Sequence, residues 1–235
     1  SASKENYRAI LSKKDLDDLI KELKKAKVLA FDTETDSLDF TQANLVGLSV
    51  ATDEDNAYYI PVGHDYEGAP KQLDRDEVLK KLKPIIEKTP LIGQHLKFDR
   101  NVLANYDIHL NSIENDTMLM SYVYDPTATR HNLDAMASHY LNVKTTTFED
   151  VAGKGVKQLT FNQIPLEKAS DYAAEDADIT FRCYSHLKPA LAKTPSLEKV
   201  LHEIELPLVP VLSDMEQAGT LVNEEALKIQ SNNLG

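Results

Sequence analysis

The chain has 235 residues, 42% hydrophobic and 27% charged, which suits a soluble protein with a real core and at most one large domain plus a fragment. A single cysteine excludes an internal disulfide and a cysteine-based zinc site, and no apolar run approaches the roughly 18 residues that span a bilayer. The N-terminus lacks an apolar signal-peptide core, so we expect a cytoplasmic protein. A net charge of −12 argues by itself against nucleic acid binding. Two considerations weaken this argument: carboxylates that hold metals lower the net charge, and a domain tethered to a DNA-binding partner needs little DNA affinity of its own.

The first third of the chain predicts one helix followed by three strands. Residues 15–26 place apolar side chains on one helical face, and Ser12 suits the N-terminal cap. Residues 28–35 open with four apolar residues and predict a buried strand, and 45–52 and 57–63 predict two more. The short polar connection between the last two predicts a hairpin, so we expect these three strands to be antiparallel.

Helices predominate after residue 75. Pro84 is expected to bend or divide the first of them, at 76–88, and residues 147–165 lack a clear period and predict a loop with short turns. The other predicted elements are a short strand at 91–93, helices at 98–106, 118–124 and 132–141, a long helix from about Leu166 to about Leu187, and a helical final section with Pro207 and Pro210. Strands in a mixed sheet followed by helices predict an α/β fold, without identifying which one.

Two carboxylates stand together on the first buried strand. Asp32 and Glu34 are two residues apart and therefore point to the same face. They repel each other and are costly to desolvate, and a divalent cation such as Mg²⁺, which prefers oxygen ligands, would offset both costs. The alternative is a solvated strand end, and this short pattern alone favours that alternative.

Other acids occupy positions where a function is possible but not required. Tyr172 and Asp176 are four residues apart on a predicted helix and share one face, and the alanines around them would let another element approach closely. The alternative is a solvated acidic face. Asp99 follows a short strand near the start of a helix, where the helix dipole favours an acid without any further role.

Taken together, three segments carry a family resemblance. FDTET (31–35), GQHLKFDRNVL (93–103) and YAAEDADIT (172–180) resemble, in order and spacing, the three exonuclease motifs of bacterial DNA polymerase I, in the branch of the DEDD exonucleases with a tyrosine in the third motif. The resemblance covers essentially the entire chain, because SLDFTQANLVGLS, DTMLMSY, TFEDVAGKG and QLTFNQI are also similar to the Klenow-fragment exonuclease domain. It implies a ribonuclease H-like α/β fold, in which helices flank a mixed sheet with antiparallel first strands.

The resemblance implies a catalytic site with two divalent metal ions, which would be Mg²⁺, Mn²⁺ or Zn²⁺. Asp32, Glu34 and Asp176 would hold one ion, and Asp32 would share the second with Asp99, mostly through water. Tyr172 would orient the attacking water. Two such ions can activate that water and stabilise the leaving oxygen, so no histidine or cysteine nucleophile is required.

The resemblance also implies contacts with the DNA. Thr35 and Leu38 would contact the 3′-terminal nucleotide, Phe148 would stack near the frayed end, and Arg130 would contact the phosphate backbone. The family usually has asparagine where this chain has His95, which either binds a phosphate or sugar or packs at the rim of the site. The full set of expected substrate contacts is Thr33, Thr35, Leu38, Gln94, His95, Lys97, Phe98, Arg130 and Phe148.

The resemblance further implies a division of the chain and a role for each part. Residues 1–190 would form the exonuclease domain, and residues 191–235 would open a polymerase portion and have no polymerase activity. The function implied is removal of nucleoside monophosphates from frayed or mismatched DNA 3′ ends by a bacterial, cytoplasmic monomer that contacts DNA and the polymerase portion but no membrane. Lys154 and Lys157 would either touch phosphates or belong to an ordinary glycine-rich turn. The alternatives are a ribonuclease D-like RNA exonuclease and a silent support domain, and the presence of all four acids argues against the second.

Overall fold

The computed structural model describes residues 4–219 and contains a six-stranded mixed β-sheet. Its strands are β1 (Tyr7–Ala9), β2 (Leu29–Thr35), β3 (Leu45–Ala51), β4 (Ala57–Pro61), β5 (Leu91–Gly93) and β6 (Ile113–Asp116). Their order across the sheet is β1-β4-β3-β2-β5-β6. β2, β3 and β4 pair antiparallel as the sequence predicts, whereas β1, β5 and β6 run parallel to the strands they join.

The helices account for most of the remaining chain. Between residues 4 and 219 they are α1 (Lys13–Leu23), α2 (Arg75–Lys88), α3 (Leu96–Ala104), α4 (Thr117–Tyr124), α5 (Leu133–Met136), α6 (Phe148–Ala152), α7 (Leu166–Ala192), α8 (Pro195–Val200) and α9 (Leu206–Ala218). Single π-helical turns follow α5 and α8, and two 3₁₀ turns connect α6 to α7. In this described part of the chain, no helix combines the length and the apolar character that crossing a bilayer requires.

The sheet separates two layers of apolar packing. Alternation along β2 sends Leu29 and Phe31 to one face, where they pack with α1, α2 and α3. Ala30 points to the other face, where it meets Ala174 and Ala177 of α7. These small side chains let α7 lie close against β1, β2, β3, β4 and β5, so α7 is the main cover of this face of the sheet.

Two strands escaped the sequence prediction because they are too short to show a period. β1 is held at the sheet edge by its pairing with β4, and the Tyr7 hydroxyl donates a 2.5 Å hydrogen bond to the buried carboxylate of Asp178 on α7. β6 extends the opposite edge through parallel pairing with β5. Both strands therefore depend on contacts with distant parts of the chain, which local sequence does not record.

Three helical predictions need correction. Pro84 does not divide α2, because buried side chains on both sides of it, Val78 and Ile85 among them, hold the helix against the core. α7 continues past Leu187 to Ala192 and so crosses the expected domain boundary at residue 190. The predicted loop at 147–165 contains α6, whose first turn is fixed by a reciprocal capping box between Thr147 and Asp150.

Candidate active site

Three carboxylates converge at the end of β2. Asp32 and Glu34 project from the same face of this strand, and Asp176 reaches them from α7. One oxygen of each lies within 4.8 Å of the others. The pairing of β2 with β3 shifts register between Glu34 and Thr35, and such irregularities commonly occur beside functional sites. The fold thus brings together three of the four acids that were predicted to hold metal.

The fourth acid, Asp99, approaches β2 from α3. Its Oδ1 accepts hydrogen bonds from the backbone N–H of Thr33 at 2.8 Å and from Thr33 Oγ1 at 2.5 Å. Asp99 is 2% exposed, and its pKa is raised well above the ordinary value by burial and then by the charge of Asp32. Asp99 therefore lies beside the converging acids and outside the set of three. Thr33, predicted to contact the substrate, uses its donors to hold Asp99.

The electrostatics of the cluster are those of crowded and poorly hydrated carboxylates. Burial raises the pKa of Asp32 to about 7. Burial also raises the pKa values of Glu34 and Asp176 well above their ordinary range, and the neighbouring acids add to the effect. Carboxylates this close cannot all ionise in the absence of a compensating positive charge.

One oxygen of Glu34 indicates what that positive charge could be. Among the residues described, Glu34 Oε1 is buried and has no hydrogen-bond partner. An unpaired buried oxygen is costly, and a divalent cation would provide the missing partner. The donor set consists of carboxylates alone, which suits Mg²⁺ or Mn²⁺ better than a soft transition metal. The residues present therefore fit a divalent metal ion.

An aromatic side chain that the sequence analysis did not single out lies close to Glu34. Glu34 is paired with Gly47 in the β2–β3 ladder, and the Tyr59 ring crosses that glycine so closely that a Cβ on it would approach the ring to 2.3 Å. The Tyr59 hydroxyl and Nε2 of the buried His64 are 2.7 Å apart and share a hydrogen bond. The absence of a side chain at position 47 thus allows an aromatic ring to fill the space beside the acids.

A cleft of about 500 Å³ opens beside Glu34. Leu38 lines it and is 95% exposed, so this apolar side chain is free to meet a ligand. The ring of Phe148 meets Tyr172 edge to face, with the ring centres 6.1 Å apart. The predicted substrate and catalytic residues that line the cleft are Thr33, Glu34, Thr35, Leu38, Phe98, Phe148 and Tyr172.

A strip that precedes α7 also lines the cleft and was not predicted to be functional. It consists of Gln158, Leu159, Thr160 and Phe161. Leu159 is 41% exposed, and its backbone N–H donates to the carbonyl of Ala152 at 2.9 Å, which fixes the strip against α6. The leucine within QLTF was the available sequence signal for this strip. The irregular segment around it gave no period from which to place its side chain.

Four predicted substrate residues lie outside this cleft, namely Gln94, His95, Lys97 and Arg130. Both ends of the Gln94 amide are occupied by the protein: Nε2 donates to the carbonyl of His131 at 2.8 Å, and Oε1 accepts from Thr117 Oγ1 at 2.6 Å. Arg130 is exposed. A contact of either residue with DNA stays a prediction.

The backbone explains the residue type at position 95. His95 is the N-cap of α3 and has φ 62°, in the left-handed region. Asparagine and histidine are both enriched there among non-glycine residues, so the conformation accommodates the asparagine usual in the resembled family as well as this histidine. The His95 side chain is exposed, while the nearby Lys97 Nζ pairs with Glu216 Oε1 at 2.7 Å.

Comparison with known proteins identifies the family to which the chain belongs. Residues 7–192 match the family model described as 3′–5′ exonuclease. The chain is 51% identical over 234 residues to DNA polymerase I of Pseudomonas aeruginosa, and the match covers 98% of this chain and 26% of that protein. This chain therefore spans about a quarter of the length of the curated relatives that it matches.

Solved structures share the fold at lower sequence identity. The POL domain of Pol1 from M. smegmatis, in complex with DNA primer-template and dNTP, superposes with a TM-score of 0.74 at 19% identity, over 96% of this chain and 34% of that one. Brucella melitensis NrnC with bound Mg²⁺ superposes with a TM-score of 0.57 at 20% identity, over 83% of this chain and 87% of that one. These likenesses confirm the predicted α/β fold.

Proposed function

This chain belongs to the 3′–5′ exonuclease family, and from that membership we propose that it removes nucleoside monophosphates from frayed or mismatched 3′ ends of DNA. The observation that carries the proposal is the convergence of Asp32, Glu34 and Asp176 beside a cleft with aromatic and aliphatic walls. A strand end can be held by such walls while its last phosphate lies near the acids. DNA is favoured as the substrate because two relatives, whose matches cover 98% and 94% of this chain, are named DNA polymerase I.

Two divalent metal ions complete the proposed site, most suitably Mg²⁺, with Mn²⁺ or Zn²⁺ as alternatives. Asp32, Glu34 and Asp176 would hold one, and Asp32 with Asp99 would hold the other. Ions bound there supply activation of a water molecule and neutralisation of charge on the phosphate. The unpartnered oxygen of Glu34 and the raised pKa values of the acids support this assignment.

Tyr172 would orient the attacking water. Burial raises its pKa above the ordinary value, and the charge of Asp176 raises it further. The phenol therefore stays protonated near neutral pH and can donate a hydrogen bond, but it is a poor base. Its position also supports the role, because Asp176 lies one helical turn away and the Tyr172 ring lines the cleft beside Phe148.

Leu38 and Phe148 would hold the unpaired bases. Aliphatic and aromatic side chains stack on any base, which suits an enzyme that removes whichever nucleotide is at the end. A mismatched end unpairs at lower cost than a matched one, so it reaches the site more often. Selectivity for errors would therefore come from the DNA end itself, without contacts that read base identity.

The longer proteins that this chain resembles suggest where it acts. Residues 1–190 would be the exonuclease domain and residues 191–235 the opening of the polymerase portion, of which 220–235 lie outside the described residues. The polymerase portion and DNA would be the partners of a monomer in the bacterial cytoplasm. Tethering to a DNA-binding portion would compensate for the weak intrinsic affinity expected of a chain with net charge −12.

The test is digestion of a 5′-labelled single-stranded DNA oligonucleotide with and without Mg²⁺. We expect a ladder that shortens from the 3′ end and disappears without metal or in Asp176→Ala. Asp171→Ala, which removes an exposed acid from the same helix, is the matched control and should digest normally. Circular dichroism checks that each variant is folded.

Two outcomes would contradict the proposal. Faster digestion of RNA of the same sequence would favour a ribonuclease D-like activity. A folded chain that binds no Mn²⁺ and yields no ladder would favour the silent support domain.

A further inference from the structure

α3 has one side toward the proposed site and another toward α9. Phe98 lines the cleft, and Asp99 is hydrogen-bonded to Thr33 on β2. Side-chain hydrogen bonds join α9 to three residues on either side of this pair, namely Lys97, Arg100 and Asn101. α9 lies beyond the residues 7–192 that match the exonuclease family model, so nothing in that match assigns it a part in the site.

The centre of the α3–α9 contact is the Asn101 amide. Asn101 is 2% exposed and Ser213 is fully buried. Asn101 Oδ1 accepts from Ser213 Oγ at 2.6 Å and from Gln217 Nε2 at 3.2 Å, and Asn101 Nδ2 donates to Glu216 Oε2 at 2.7 Å. Both ends of a buried amide are therefore held by α9, and a buried polar network satisfied in this way permits few alternative positions.

Charged side chains extend the contact along α3. Arg100 Nη1 donates to Ser213 Oγ and to Asp214 Oδ1, each at 2.7 Å. The Arg100 side chain is only 13% exposed but that of Asp214 is 68% exposed, so solvent screens the ion pair and the sheltered bond of Arg100 is the one to the buried Ser213. Lys97 bonds to Glu216 one turn before Asn101, and contacts at two successive turns fix both the rotation and the axial position of α3.

We propose that α9 is a working part of the exonuclease site, and that Asn101 and Ser213 are positioning residues that set the places of Asp99 and Phe98. The inference rests on the proposed exonuclease function. α3 spans only nine residues and begins at the left-handed His95, so its own hydrogen bonds do not determine where it lies against β2. Core packing of Leu96, Val102 and Leu103 and the bonds from the start of α3 to Asp116 hold the helix on one side, and the contact with α9 adds a constraint from the side opposite the acids.

The experiment compares Ser213→Ala with Met215→Ala, which alters an exposed residue of the same helix. Removing the Ser213 hydroxyl should lower kcat on single-stranded DNA about 10-fold, the low end of what loss of a supporting partner costs at metal sites, while KM stays unchanged. Mn²⁺ titration by calorimetry should show weaker binding in Ser213→Ala. Met215→Ala should match the wild type in both measurements.

A double-mutant cycle with Asp99→Asn separates positioning from general stability. If Ser213 acts through Asp99, adding Ser213→Ala to Asp99→Asn should cause no further loss of single-turnover rate. The same 10-fold loss in both backgrounds would overturn the proposal, as would a full wild-type rate in Ser213→Ala. Gln217→Ala removes the longer bond to Asn101 and provides a milder variant, with an expected loss of about 2-fold, should Ser213→Ala fail to fold. A wild-type chain without nuclease activity would instead remove the proposed function itself.

Discussion

Asp176→Asn should stabilise the protein when no metal is present, although it should abolish nuclease activity. An oxygen of Asp176 lies within 4.8 Å of oxygens from Asp32 and Glu34. At an effective dielectric constant of about 20, two unit charges at that separation repel by about 3.5 kcal/mol. Burial and the neighbouring acids raise the pKa of Asp176 well above its ordinary value, so protonation relieves part of this repulsion at neutral pH. We therefore expect a gain of about 2 kcal/mol in the free energy of unfolding.

The assay is urea unfolding in EDTA and then in excess Mn²⁺. Asp171→Asn makes the same change of charge at an exposed site on α7 and should leave stability nearly unchanged. Mn²⁺ at 100 times its dissociation constant should stabilise the wild type by about 2.7 kcal/mol, and Asp176→Asn should gain much less. A metal-free Asp176→Asn protein less stable than the wild type would refute the reasoning, because the carboxylate would then be a net stabilising acceptor.

Four more predictions follow from single side chains. Tyr172→Phe should lower kcat about 10- to 100-fold without altering KM or the fold, and a wild-type rate would remove its role with the attacking water. Leu159→Ala should raise KM for DNA about 5-fold, because Leu159 lines the cleft. Val156→Ala, at a fully exposed site outside the cleft, should leave KM unchanged. With an abasic 3′ end the two variants should have the same KM. The Cys183 thiol, whose pKa burial raises to about 12, should react with Ellman's reagent only as the protein unfolds, so rapid reaction of the native protein would contradict this. Burial lowers the pKa of His64, so the unfolded state binds more protons and the free energy of unfolding should fall as pH drops below about 6.5. His64→Gln should flatten this pH dependence of stability. An unchanged dependence would assign it to other groups.

Segments with a clear apolar pattern were predictable from sequence. Short strands that exist only through pairing with a distant strand were not. β2 was found because it opens with four apolar residues, and of the long helix α7 only the end was misjudged. β1 has three residues, so its existence depends on β4 and on the bond between Tyr7 and Asp178. Pro84 misled the prediction because the tertiary burial of α2 outweighs a local preference.

The acids of the site were identified by their family pattern, since Asp32 and Glu34 alone favoured a solvated strand end. The structure adds a third carboxylate within reach of both, which supports the metal-site interpretation. The packing of Tyr59 over Gly47 and the bonding of Asn101 by α9 could not be predicted. Each joins side chains from segments whose positions relative to one another emerge only when the sheet has formed.

The acids of the cluster are contributed by early and late parts of the chain, and this governs when the nuclease centre can exist during synthesis. A ribosome releases β2 and α3 well before α7, because translation proceeds from the N-terminus. Until α7 arrives, one face of the sheet lacks its main cover and Asp176 is missing. A nascent chain therefore carries most of the acids without an assembled centre. Docking of one late helix covers most of that face and completes the cluster in the same event.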